Sequence, residues 1–244
     1  VLPANHQIQI QNIQQSPKFE AGNPMPFPGY SVITPPAEED AVNNEFYAQL
    51  TQLQQQLSQQ LDPNFFIPLP PDSFHITIAD LIWDSGYRQA LRDNPEFEQQ
   101  LREQIQVSFQ QYQTTLTETE PIAWQLLGLT IRPRAILAAL VPKERQSYEP
   151  IIELRRSIYQ NAALIGLGIE QQYDFTAHIT LGYFGEITAD LNRDRLIGII
   201  SQINDQLLDI QPEVFLIERA ELRKFDNMMR YYRESDWSVV TWKS

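Results

Sequence analysis

Cysteine is absent from the 244 residues. Disulfides, thiolate metal sites and a cysteine nucleophile are therefore excluded, and the compartment is left open. No apolar run approaches the roughly 18 residues that a membrane span requires. Positive charge is scarce: 18 Lys and Arg stand against 31 Asp and Glu, a formal net charge of −13. An acidic surface repels the phosphate backbone, which argues against long duplex nucleic acid or a long RNA tract as partner. No Gly-rich phosphate loop occurs, and no serine sits in a nucleophile elbow. Histidine is nearly missing, with three residues. No carboxylate lies at ligand spacing from them, so neither a metal site nor another cofactor is expected.

What remains is ordinary for a globular chain: 42% hydrophobic and 20% charged residues. Two of the three histidines occur in one repeated word. His75-Ile76-Thr77-Ile78 and His178-Ile179-Thr180-Leu181 lie about a hundred residues apart. A chance repeat of this kind is on the order of one per cent. Each copy reads as a β-strand in which β-branched residues alternate with polar ones. Alternation puts His75 and Thr77 on one face and His178 and Thr180 on another, each followed by a small residue, Ala79 or Gly182. The third histidine, His6, has no such word around it and is given no role.

Residues 1–28 are polar and then Pro-rich, and read as a tail or wrapping arm. Residues 29–244 read as one bilobed domain. A short strand from Gly29 to Thr34 precedes an amphipathic helix over about Glu38 to Leu61 and a proline-punctuated connector, Asp62 to Pro71. The first histidine strand spans Ser73 to Ile82. A helix capped by Asn94 follows, then a hairpin of Ile122 to Arg132 and Ala135 to Val141. A helix capped by Ser147 leads to the second histidine strand, Phe175 to Phe184. A helix capped by Thr188, Pro212, a long strand Glu213 to Phe225 and a closing strand Trp237 to Trp242 complete the chain. The order of elements repeats around each histidine, one hairpin strand going to each half. This predicts an α+β duplicated fold: two antiparallel-rich sheets facing a central groove, with helices on the outer faces.

Two histidines on opposite sides of a group permit concerted acid and base catalysis. Threonine hydroxyls can hold the oxygens of an anion. Together they fit in-line displacement at phosphorus. The paired words and the order of elements resemble the two-histidine (2H) phosphoesterase superfamily, over roughly residues 29–242. The resemblance implies a bilobed α+β fold without metal. It also implies His75 and His178 as the catalytic pair, and Thr77 and Thr180 as phosphate-binding residues. Some relatives carry an Arg shortly after a motif. Asp80 and Tyr183 stand there in this chain, and strict alternation turns both away from the groove.

Secondary binding candidates are Arg223, near the end of the long strand, and Tyr30, whose ring could stack on a base as that of Phe74 could. Arg132 and Arg134 flank the hairpin turn and read as surface charge. The expectation is a monomeric, metal-independent phosphodiesterase that hydrolyses a small cyclic phosphodiester or a 2′,3′-cyclic phosphate end, on a small phosphorylated nucleotide or short oligonucleotide. Two alternatives stay open, a catalytically inactive phosphate-binding module and an RNA 3′-end exonuclease. Val1 in place of Met fits a trimmed or processed N-terminus. The cytoplasm is the slightly favoured compartment, and a removed signal peptide is left open.

Overall fold

Each histidine word lies at the entry of a strand, and the two strands belong to different sheets. The computed structural model describes residues 10–116, 122–211 and 213–242. His6, the first residues of the arm and Pro212 lie outside them.

The β-branched run Gly29–Ile33 (β3) is followed by the helix Asn44–Gln60 (α1) and the short strand Phe66–Pro68 (β4). Thr77–Trp83 (β5), Asp84–Asp93 (α2) and Phe97–Thr115 (α3) come next. The hairpin is Ile122–Arg132 (β6) and Ala135–Pro142 (β7). The helices Glu149–Tyr159 (α4) and Ala162–Gly166 (α5) precede the second histidine strand, His178–Phe184 (β8). Arg193–Leu208 (α6), Val214–Ile217 (β9), Arg219–Phe225 (β10) and Val239–Thr241 (β11) end the chain. A two-residue ladder, Phe19–Glu20 (β1) with Asn23–Pro24 (β2), stands in the arm.

One sheet has the order β11-β10-β3-β5 and the other β4-β8-β7-β6-β9, and every pairing is antiparallel. The α+β architecture with two antiparallel sheets agrees with the sequence reading. The halves are more interleaved than the repeat implied. Both hairpin strands join the five-stranded sheet instead of one going to each half. The expected long strand breaks at Glu218, so β9 and β10 serve different sheets. The Pro-rich connector contributes β4, whose partner is β8. The capping residues also shift: Asn192 caps α6 instead of Thr188, and the turn after Tyr159 is re-nucleated by Asn161. Asparagine side chains accept from free helix N–H groups at both places.

The helices cross over too. α1 buries Phe46, Leu50, Leu53 and Leu57, each worth roughly 1.5–3 kcal/mol in burial. It packs on β4 and β8, beside α6. α4 packs on β5, and α3 covers β11. The helix that follows β3 thus supports the second histidine strand, and the helix that precedes β8 supports the first.

Candidate active site

A cavity of about 340 Å³ lies between the sheets and is lined by His75, Thr77, His178 and Thr180 together. The two words, a hundred residues apart, converge on it. His75 donates from Nδ1 to the carbonyl of Ser73 at 2.7 Å. His178 donates from Nδ1 to the carbonyl of Thr176, also at 2.7 Å. A carbonyl oxygen only accepts, so each bond fixes the Nδ1–H tautomer and leaves Nε2 with the free lone pair. Each ring keeps part of its surface open to the cavity.

Strict alternation fails in both strands. Between β3 and β5 the register skips Ile78 and Leu81, and between β7 and β8 it skips Leu181. Each bulge inserts an extra residue and reverses the facing of the residues after it. Asp80, Trp83 and Tyr183 therefore line the cavity, which corrects the expectation that Asp80 and Tyr183 point away. The same reversal takes Gly182 out of the cavity. A Cβ there would meet Phe66 at 2.5 Å and the Ile67 carbonyl at 2.6 Å, so its smallness serves the close approach of β4. Ala79 is fully buried and does not line the cavity.

The bulged residues next to the two threonines are held in matching ways. The Ile78 carbonyl accepts from Arg155 Nη1 at 2.6 Å, and the Leu181 carbonyl accepts from Gln54 Nε2 at 2.7 Å. Both side chains are buried and come from the crossing helices α4 and α1. The Leu181 carbonyl also accepts from Leu69 N–H at 3.0 Å, and a buried carbonyl beside a bulge is kept satisfied by such partners.

Burial drives His75 down to about 4; the bond to Ser73 opposes this, while His178, Arg223 and Lys18 push the same way. His178 is also lowered, again by burial first, with the Thr176 bond and the Asp80 carboxylate opposing. Burial raises Asp80 above the usual carboxylate range. Asp80 accepts from Ser31 Oγ at 3.4 Å and from the Tyr173 hydroxyl. The Tyr231 ring packs on His75, with centroids 4.2 Å apart.

Arg223 and Tyr30 do not line the cavity. Arg223 is 2% exposed and is saturated by Glu39 and Glu221, with one further bond to the Tyr231 carbonyl. It holds the wall behind His75 instead of reaching the cavity. Tyr30 is fully buried beside Tyr87 and Trp237. Its strand neighbour Ser31 takes the cavity side, and Phe74 is buried in the core. The residues missed include Lys18 and Phe27 from the arm and Met228 and Tyr231 from the loop after β10, all of which line the cavity, and Arg134, read as surface charge, is exposed and lines it too. Their sequence context offered no periodicity or motif to mark them. Among the described residues no group of three or more His, Asp or Glu side chains is arranged to hold a metal ion.

Residues 18–116 match a family model described as "2H-phosphodiest: Domain of unknown function (DUF1868)". Over that stretch, which is less than half of the chain, the sequence is similar to the two-histidine phosphodiesterase family. The match takes in His75 and Thr77, and the second word lies beyond it. A conserved protein of unknown function from Agrobacterium tumefaciens strain C58 shares the fold, at 16% identity and a TM-score of 0.67 over 100% of both chains. A structure of Escherichia coli LigT complexed with 3′-AMP is similar at 14% identity and a TM-score of 0.45, covering 84% of this chain and 93% of that one. No curated protein sequence matches the chain.

Proposed function

We propose that this protein is a two-histidine phosphoesterase, acting as a metal-independent phosphodiesterase. It hydrolyses a small cyclic phosphodiester or a 2′,3′-cyclic phosphate end by paired-histidine acid–base catalysis. The observation that carries the reading is the shared cavity. Two His-x-Thr words meet there, each with Nδ1 committed to a carbonyl and Nε2 left for chemistry. In this reading residues 29–244 form one catalytic domain, residues 1–28 form its arm, and the protein acts as a monomer.

Burial pushes both imidazoles toward the neutral form. An anionic phosphate between them favours the charged form of one, because opposite charge stabilises the imidazolium. That histidine protonates the leaving oxygen as its bond to phosphorus breaks. The other takes a proton from the attacking water as the new P–O bond forms. Thr77 and Thr180 hydroxyls donate to the non-bridging oxygens.

The test is hydrolysis of nucleoside 2′,3′-cyclic phosphates in the presence of a chelator. His75→Ala and His178→Ala are each expected to lower kcat by about 10² to 10⁴. Retention of activity in either variant, or its abolition by chelator alone, would overturn the reading. An RNA 3′-end exonuclease needs a basic wall along the strand, whereas Lys18 and Arg134 are the two cationic side chains among the cavity's described lining.

A further inference from the structure

We propose that Lys18, carried by the N-terminal arm, is a phosphate-binding residue of the cavity and gives the phosphodiester its main cationic contact. The proposal rests on the phosphodiesterase reading for its substrate class and on the arm's geometry for its residue.

The arm is fastened where it passes the site. Ser16 N–H donates to the Phe184 carbonyl at 2.8 Å, at the end of the second histidine strand. Phe19 is 3% exposed and pairs with Pro24 across the β1–β2 turn. Met25 N–H donates to the Lys18 carbonyl at 2.9 Å, and Phe27 N–H donates to the Asp226 carbonyl at 2.8 Å. These bonds fix the backbone on both sides of Lys18, so its side chain enters the cavity from a defined point.

The ammonium is held by a hydroxyl and two rings, with no ion pair to a carboxylate among the described residues. Nζ donates to the Tyr183 hydroxyl at 3.1 Å and lies 4.8 Å from the ring centroids of Phe27 and Tyr183. Those contacts orient a cation and use one of its three donors. No carboxylate of the described residues pairs with it, whereas Lys224 and Arg223 are both bound to glutamates. Asp80 on the same wall feels the Lys18 charge, but burial raises Asp80 above its ordinary value, so in a chain of net charge −13 a cation with free donors beside two histidines marks where an anion is received. Tyr183 reaches the cavity through the bulge at Leu181, so the second histidine strand itself supplies the clamp that aims Lys18. Arg134, the other cationic lining residue, is exposed and bonds Gln14 at 3.4 Å, which leaves Lys18 as the oriented cation.

The experiment compares the full chain with Lys18→Met and Lys18→Arg. Lys18→Met keeps the length that packs between Phe27 and Tyr183 and removes the charge. Binding of inorganic phosphate, followed by calorimetry, is expected to weaken roughly ten- to a hundredfold in Lys18→Met and to recover in large part in Lys18→Arg. On a nucleoside 2′,3′-cyclic phosphate, KM should rise by more than kcat falls, and the salt dependence of KM should flatten. Unchanged phosphate affinity and KM in a folded Lys18→Met protein would refute the role of Lys18 while leaving the phosphodiesterase reading intact. Wild-type protein that binds phosphate through Lys18 but turns over no cyclic phosphate would do the reverse. If Lys18→Met is destabilised, Lys18→Gln tested at matched folded fraction gives the same readout.

Discussion

His75 and His178 share one hydrogen-bond pattern and differ in their surroundings. Both rings feel two cations, Arg223 and Lys18 at His75 and Arg132 and Lys18 at His178, but His75 lies against the Tyr231 ring and His178 is near the Asp80 carboxyl. The proposed reaction needs one protonated and one neutral ring. The singly protonated free enzyme is the dominant species between the two macroscopic values of the pair. Burial lowers both, His75 to about 4. The pH profile of kcat/KM is therefore expected to peak on the acid side of 6.5 and to decline toward pH 8. A profile still rising through pH 8 would contradict the pairing. The same shifts bear on stability. A histidine whose folded value lies below its unfolded value of about 6.5 binds fewer protons when folded. Its contribution is complete above pH 6.5 and is lost as pH falls toward 4. Urea midpoints measured from pH 7 to 4 should fall less steeply in a His75→Asn, His178→Asn double variant than in the wild type.

At the scale of elements, the site depends on bulges and on the side chains that satisfy them. Gln54 donates to both the Leu69 and Leu181 carbonyls at 2.7 Å. Gln54→Leu strands the Leu69 carbonyl, at roughly 1–3 kcal/mol, and leaves the Leu181 carbonyl with the Leu69 N–H at 3.0 Å alone. Urea unfolding should register a loss of about 1–3 kcal/mol, with a fall in kcat as β8 relaxes. Arg223 joins β10 to the turn at Glu39 and to the loop carrying Tyr231. Arg223→Met leaves the 3%-exposed Glu221 short of its main partner. Removing one member of a buried pair costs about 3–5 kcal/mol when the other is left unpaired; Glu221 keeps Arg219 at 2.9 Å, so a smaller loss is expected, to be read as a lowered Tm. Most strands and long helices were legible from periodicity: α1, α3, α4, α6, the hairpin and both histidine strands carry plain 3.6- or 2-residue patterns. The bulges were not, because a bulge changes facing without changing composition. The facing of Asp80, Trp83 and Tyr183 was hidden for that reason.

For the whole molecule, the arm belongs to the site as well as to the surface. It buries Ile10, Ile13 and Phe19 and lays Lys18 and Phe27 into the cavity. Burial of each large apolar side chain is worth about 1.5–3 kcal/mol. Removal of residues 1–25 should lower stability by several kcal/mol in urea unfolding and weaken substrate binding. Unaltered stability and KM in the truncated chain would show that the arm is dispensable. The acidic surface also predicts that duplex DNA is not retained at 0.15 M salt, as a filter-binding or gel-shift assay would show.

The sequence alone determined the two histidine words, the α+β class and the acidic character, because these rest on local periodicity, a repeated word and a sum of charges. Tertiary structure decided which sheet each strand joins, which helix supports which histidine, and which residues complete the cavity. Those outcomes depend on contacts between distant residues, such as Arg155 with Ile78, Gln54 with Leu181 and Lys18 with Tyr183. No local pattern encodes them. Arg223 shows the physical limit most plainly: an inward-facing arginine in a strand reads as a ligand group until the glutamates that neutralise it, at positions 39 and 221, are seen to meet it.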